Sequence, residues 1–276
     1  QYYTQTQINR LQESLSKLGY FSSIQIVPDL DSKSDGSVPI VVTVIPAQQN
    51  SQYASLRYGT ETGFGVQYGI ERRWINARGH KINLDLSYAQ YERSVTALYR
   101  IPAFGWLDGW YGFGFTAREE DFFNAPFNYF EVFGNRSGEY RGWDLSAALK
   151  LRRERFDGAI PDFDPGASVA IYTSTLYPEL KGFWRSSTDN YPAQGSAWRL
   201  MARAGYEFET ANAFFVQGYA MNRRIYSFGS NNRILLRGEL GALATQDYEY
   251  FPTSLRFYAG GADSIAFSVH NDRPVE

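Results

Sequence analysis

The stretch Trp143–Arg153, WDLSAALKLRR, reads with a period of two. Trp143, Leu145, Ala147, Leu149 and Leu151 hold the odd positions, and Asp144, Ser146, Ala148, Lys150 and Arg152 lie between them. In a strand, successive side chains point to opposite faces, so one face is apolar and the other polar and charged. At helical spacing the same residues would mix on every face. The pattern recurs from Tyr53 onward. Phe64, Val66, Tyr68 and Ile70 alternate with Gly65, Gln67 and Gly69, and Ile82, Leu84, Leu86 and Tyr88 with Lys81, Asn83, Asp85 and Ser87. Trp198, Leu200, Ala202, Ala204, Tyr206 and Phe208 form another such set, as do Leu236, Gly238, Leu240 and Ala242. Only Ala213–Arg224 fits two registers, so its facing stays open.

These segments give about eleven strands, near 53–60, 64–74, 80–91, 93–101, 110–122, 127–137, 143–156, 167–184, 196–209, 213–226 and 232–245. Many reach ten or more residues, beyond the usual five or six. Ten residues at about 3.3 Å each, tilted near 45°, span about 25 Å, the height of an outer-membrane apolar band. Aromatics make up 17% of the chain, and Trp74, Trp106, Trp110, Trp143, Tyr172, Tyr177, Trp184 and Tyr226 fall near strand ends, as interfacial girdles do. Some joins are tight, at Asn76–Gly79 and Glu92–Arg93, and others are long and polar, at Asp157–Gly166 and Ser186–Gly195. That contrast predicts a short-turn end and a long-loop end.

The predicted fold class is therefore an all-β transmembrane antiparallel barrel. A mean hydropathy of −0.40 does not oppose it, because alternating strands average out as hydrophilic. No run approaches the roughly 18 apolar residues of a spanning helix. A net charge of −2 gives no support for a nucleic-acid partner, and with no cysteine there is no disulfide framework. The chain starts at Gln1 without Met and reads as a mature or excised piece. The rival architecture is a soluble β-sandwich, which also alternates.

The first fifty residues differ. Ile8, Leu11, Leu15 and Leu18 mark one helix face, with Thr4 or Thr6 to cap its start and Gly19 its end. Ser23–Val27 and Val38–Ile45 are β-branched runs joined by the turn DSKSDG, Asp31–Gly36. Asp31, Asp35 and Gly36 suggest a calcium loop, but the spacing is incomplete and a surface turn explains them. A helix and a hairpin hold no core unaided.

Catalytic signatures do not emerge. His80 and His270 are far apart, and there is no zinc spacing, phosphate loop or Gly-x-Ser-x-Gly. Asp162, Asp164 and Gly166 read as a solvated turn. The inward Arg and Glu of several strands line a lumen without any need for catalysis. We expect no enzyme, cofactor or metal.

Three phrases carry a resemblance. LGYFSSIQI with VPIVVTVIP resembles the end of a POTRA domain, a small periplasmic module that precedes certain outer-membrane barrels. WINARGHKINL and PTSLRFYAGGADSI resemble the TamA family of the BamA/TamA outer-membrane assembly factors. Trp74, Asn76, Arg78, Gly79 and His80 fill that family's turn between its second and third barrel strands. Ser254, Leu255, Arg256, Phe257, Ala259, Gly260, Gly261, Ser264 and Ile265 fill most of its sixth extracellular loop. Gly260–Gly261 would permit a tight positive-φ bend.

The resemblance implies a partial POTRA domain over 1–48, in the periplasm, and the N-terminal part of an outer-membrane barrel over 53–276. It implies help with the folding, insertion or translocation of outer-membrane proteins and autotransporters through a lateral seam. The seam strand would carry Tyr53, Ser55, Arg57 and Gly59, beside a thin apolar band. Implied partners are outer-membrane lipid, client proteins and a TamB-like subunit anchored in the inner membrane. A two-partner-secretion or porin-like pore is the alternative function.

After Ile265 the family's Arg-Gly-aromatic sequence is replaced by Ala266–Phe267–Ser268. A sixteen-strand family barrel would leave roughly five strands missing here. We therefore expect an open sheet with free first and last strands and a lumen without its loop anchor. On the alternation, Leu149→Arg should be costly and Lys150→Ala mild.

Overall fold

The computed structural model describes residues 4–29, 38–59, 63–104, 107–121, 126–159, 168–187, 194–228 and 232–257. Helix α1 spans Gln5–Leu18. Thr4 caps it in a reciprocal box: the Thr4 side chain accepts from the Gln7 N–H, and the Gln7 side chain accepts from the Thr4 N–H. Gly19 ends it in the left-handed region. The strands β1 (Phe21–Pro28) and β2 (Ile40–Pro46) pair as a separate antiparallel hairpin. Ile8 is buried and Leu15 and Leu18 half-buried, while Leu11 and all of β2 stay exposed.

Eleven strands then form one antiparallel meander: β3 (Asn50–Gly59), β4 (Gly63–Arg72), β5 (Lys81–Ala89), β6 (Glu92–Ala103), β7 (Gly109–Glu120), β8 (Phe127–Tyr140), β9 (Trp143–Ala159), β10 (Ser168–Arg185), β11 (Gly195–Glu207), β12 (Ala213–Phe228) and β13 (Asn232–Thr245). Each pairs with its sequence neighbours, and β3 and β13 are the two edges of an unclosed sheet. The expected number of strands and the open edges match this sheet, with boundaries shifted by a few residues.

The faces are inverted relative to a water-soluble sheet. Leu149, Leu151, Leu176, Leu180, Phe214, Val216 and Leu240 point outward and are exposed, whereas Glu131, Arg152, Glu154, Glu179 and Glu207 point inward and are buried. A soluble sandwich buries the first set and solvates the second. Hydrocarbon outside and a polar lumen inside accounts for the opposite arrangement.

Two expectations need correcting. The long joins Asp157–Gly166 and Ser186–Gly195 flank the same strand, β10, so they lie at opposite ends of the sheet. The tight joins expected at Asn76–Gly79 and Glu92–Arg93 likewise connect β5 to β4 and to β6, at opposite ends of β5. Hence no single end collects the long loops. Tyr177 and Trp110 are not girdle residues: Tyr177 is fully buried on the inward face, and Trp110 stands on the same face, its ring beside Lys81. The tryptophans do segregate: Trp74, Trp110, Trp143, Trp184 and Trp198 all lie toward the end that carries α1, the helix end, with Trp143 and Trp184 6.3 Å apart.

Ala213–Arg224 resolves to one register. Ala213, Phe215, Gln217 and Met221 are buried inward, and Phe214 and Val216 face out. The ambiguity had a cause: Phe215 is an aromatic that belongs to the lumen, against Tyr177 and Phe251.

Candidate functional site

Three places bear on function: the lumen wall of β8–β12 with the segment after β13, the turn between β4 and β5, and the β3 edge.

Register builds the wall. Antiparallel pairing sets Glu131 opposite Arg152, Lys150 opposite Tyr177, Glu179 opposite Arg203, and Arg203 opposite Gln217. All of these point inward. Arg152 donates to Glu131 through Nε at 2.8 Å and Nη2 at 2.6 Å, and Tyr177 donates to the same carboxylate at 2.6 Å. Lys150 bridges Glu131 and Glu179, each at 3.1 Å, and Arg203 lies 3.6 Å from Glu179. The Arg152 guanidinium also sits 3.9 Å from the Tyr129 ring centroid. Buried charges persist only when paired and hydrogen-bonded, and this ladder alternates sign from strand to strand.

The segment after β13 turns back onto this wall. Phe251 and Leu255 pack with Tyr177 and Phe215 into the buried apolar cluster of the lumen. A short 3-10 turn, Thr253–Leu255, presents Ser254 to Glu154. The Ser254 N–H donates to the Glu154 carboxylate at 2.8 Å, its hydroxyl donates to the other oxygen, and Arg152 donates to that hydroxyl. Gln217 and Arg203 donate to the Leu255 carbonyl at 2.8 and 3.2 Å. Lumen and loop therefore share one polar network. The expectation of a lumen without a loop anchor is corrected, since the described part of the loop, up to Phe257, already anchors it. The loop's own arginine makes its hydrogen bonds within the loop, Arg256 donating to the carbonyls of Tyr248, Glu249 and Phe251, and its guanidinium lies 5.4 Å from the ring centroid of Phe156 on the wall. Phe257 stacks on Tyr219 at 6.1 Å. Gly260, Gly261, Ser264 and Ile265 lie outside the described residues, as do Asp31–Gly36, Asp162–Gly166, Trp106 and His270.

The β4–β5 turn is held by Asn76. Its Oδ1 accepts from the N–H groups of Arg78 at 3.0 Å and His80 at 3.3 Å. Gly79 takes φ +74°, which a side chain would strain, and Tyr20 donates to its carbonyl at 2.5 Å. Trp74 accepts from Gln49 through its carbonyl, and His80 shares a hydrogen bond with the Tyr99 hydroxyl. The turn seats the N-terminal unit: Lys81 donates to the Leu18 carbonyl at the end of α1 and lies over the Tyr20 and Trp110 rings. Lys17 pairs with Glu139 and Glu13. Burial pulls the Lys17 ammonium down, but these two carboxylates outweigh it and hold its pKa above the usual value. Burial alone pushes the Tyr20 phenol up.

At the β3 edge, Tyr53, Ser55, Arg57 and Gly59 share the inward parity. Tyr53 lies flat over Gly69 of β4 and donates to Asp85 of β5. A Cβ at Gly69 would meet the Tyr53 ring at 2.2 Å. Arg57 likewise reaches Ser87 at 2.7 Å and Glu92 at 3.3 Å. Side chains of the edge strand thus reach its second neighbour past Gly65 and Gly69 of β4, while its far side has no partner strand among the described residues.

No family model matches the sequence. Among solved structures the chain is similar to BamA from Haemophilus ducreyi lacking POTRA domains 1-3, with a TM-score of 0.68 at 13% identity. The fold is BamA-like. The match covers 93% of this chain and 53% of that one, so the chain spans about half the length of the structure it resembles. At this identity the likeness concerns the fold, and the roles of side chains rest on the geometry above.

The sequence singled out Arg256, Phe257 and the Trp74–His80 turn, and the structure gives each a local structural role. It did not single out Glu131, Arg152, Glu154, Glu179, Arg203 or Gln217 individually. Their signal was present as charged residues at the inward phase of neighbouring alternating segments.

Proposed function

We propose that this chain supplies the first strands of an outer-membrane barrel that assists the folding, insertion or translocation of other outer-membrane β-proteins, autotransporters among them. The observation that carries the reading is the inside-out, BamA-like sheet with its short first strand, β3, at one edge. In lipid an unpaired backbone group costs several kcal/mol, so a seam opened at β3 is driven to pair, and a client strand satisfies it. The TamA-like phrases favour that branch of the assembly factors, which reside in the outer membrane. The helix and hairpin fit the end of a POTRA domain on the periplasmic side, where a TamB-like partner would meet it. A short apolar band beside β3 would thin the bilayer and ease insertion. The loop packed into the lumen speaks against an open porin-like conduit.

The test is crosslinking during client assembly. A cysteine replacing Ser55 is expected to trap a cysteine-bearing client strand well above the yield from Ser146→Cys on interior strand β9. Equal yields would remove the seam from the mechanism.

A further inference from the structure

Toward the helix end of β10–β13, the alternation of sign on the lumen wall stops. Pairing sets Lys181 opposite Met201, Arg199 opposite both Phe183 and Met221, and Arg223 opposite both Ala197 and Arg237. Arg185 stands in the row of Arg223, across Ala197. All five cations share the inward parity of Glu179, Arg203 and Gln217. The carboxylates described at this level are Asp144, opposite Phe183, and Glu239, opposite Met221. Lys181 pairs with Glu179 at 2.8 Å, and Arg237 pairs with Glu239. Arg185, Arg199 and Arg223 form no ion pair among the described residues, and all three are exposed.

Like charges directly opposite across two strands destabilise a sheet, and Arg223 faces Arg237 in that way. The ladder above holds no such pair: its cations face carboxylates or uncharged residues. An exposed set of cations that repel one another suits an anion arriving from outside. Its layout suits an extended one. Lys181, Arg199 and Arg223 form a diagonal, each one strand over and two residues nearer the helix end than the last. Strand geometry puts the steps about 8 Å apart, close to the roughly 6.8 Å between same-face side chains of an extended polypeptide. Phe183, Met201 and Tyr219 fill places beside the cations and offer contact to aliphatic parts, which an inorganic polyanion lacks.

We propose that this diagonal binds an acidic, extended polypeptide segment entering from the helix end. Its carboxylates would lie on Lys181, Arg199 and Arg223, with Arg185 and Arg237 beside them as charge-assisted donors. The inference rests on the functional reading above and deepens it: a client segment rich in Asp and Glu is held on the lumen wall before its strand reaches the β3 edge.

The test measures binding of a fluorescent strand peptide, with Asp at every second position, to the full chain folded in detergent. Saturable binding that weakens with salt is expected. R199Q/R223Q should weaken it about tenfold, the equivalent of one charge-assisted contact, whereas Arg224→Gln on the outer face leaves it unchanged. The double variant should keep or raise the urea midpoint, because it removes a like-charge pair. A lowered midpoint would make these arginines structural and overturn the site. Equal binding of the matching Asn peptide, equal binding of inorganic polyphosphate, or full binding by the double variant would overturn it as well. If the peptide does not bind while the Ser55→Cys crosslink to a client persists, the site falls and the functional reading stands. If the crosslink fails too, both fall.

Discussion

The first strands and the later ones build the same sheet in two different ways. β3, β4 and β5 have 10, 10 and 9 residues, whereas β9 and β10 have 17 and 18. On the short side, β4 places Gly65 and Gly69 inward, and side chains from β3 lie across it to reach β5. On the tall side, charged inward side chains grip their cross-strand neighbours, and the returning loop closes over them. The lesson is that period-two alternation fixes which face is lipid and which is lumen, but the inward residues decide where the sheet is rigid and where it yields. Rigidity resides in β8–β12. The edge that would receive a client belongs to the side with less to hold it.

The largest effect should come from breaking the ladder. Arg152→Ala leaves Glu154 buried without its ion-pair partner and Glu131 with Lys150 alone, a loss of about 3–5 kcal/mol. It should appear as a lowered urea midpoint for the folded chain in detergent. If the loss is no greater than that of a surface substitution, the tall wall is not the rigid region. Next is Leu149→Arg, on the exposed apolar face, at about 2–4 kcal/mol near the bilayer midplane. Its neighbour revises the sequence-based expectation: Lys150 bridges two buried carboxylates, so Lys150→Ala is expected to be costly and not mild. The two faces are then distinguished by dependence on lipid. Leu149→Arg should destabilise more in bilayers than in micelles, and Lys150→Ala equally in both.

Leu255→Ala removes the most buried apolar contact of the loop, for about 2–3 kcal/mol if the lumen partly collapses around it. Limited proteolysis after β13 should accelerate. Unchanged cleavage would mean that the Ser254–Glu154 contact alone holds the segment. The smallest effect is expected at the edge: Arg57 is partly exposed and its pairings are correspondingly weak, so Arg57→Ala should cost about 1 kcal/mol or less. A larger loss there than at Arg152 would invert the comparison.

Much of this was legible in the sequence because lipid and lumen impose opposite chemistries on alternate residues. Trp143–Arg153 shows it plainly, and the count of strands follows. Phe215 was not legible, because an apolar residue facing the lumen looks like one facing lipid until its partners Tyr177 and Phe251 are in place. The Ser254–Glu154 contact joins positions a hundred residues apart, and although Ser254 stands in the loop phrase, nothing local pairs it with Glu154. Lys150 was misjudged for the same reason. Alternation placed it inside, but its two carboxylates come from the strands on either side. The proposed long-loop end failed on parity alone, since consecutive connections in a meander must alternate ends.

The central claim is that β3 is the yielding, pairing-competent edge of an otherwise gripped sheet, and amide hydrogen exchange of the folded chain tests it most directly. The account predicts that amides of residues 50–59 exchange about a hundredfold faster than those of 146–156, the ratio expected for about 2.7 kcal/mol between local and near-global opening. It also predicts that a client's terminal strand slows exchange at 50–59 and nowhere on β8–β11. Uniform protection across the sheet, or client-induced protection of the tall wall in place of β3, would contradict it.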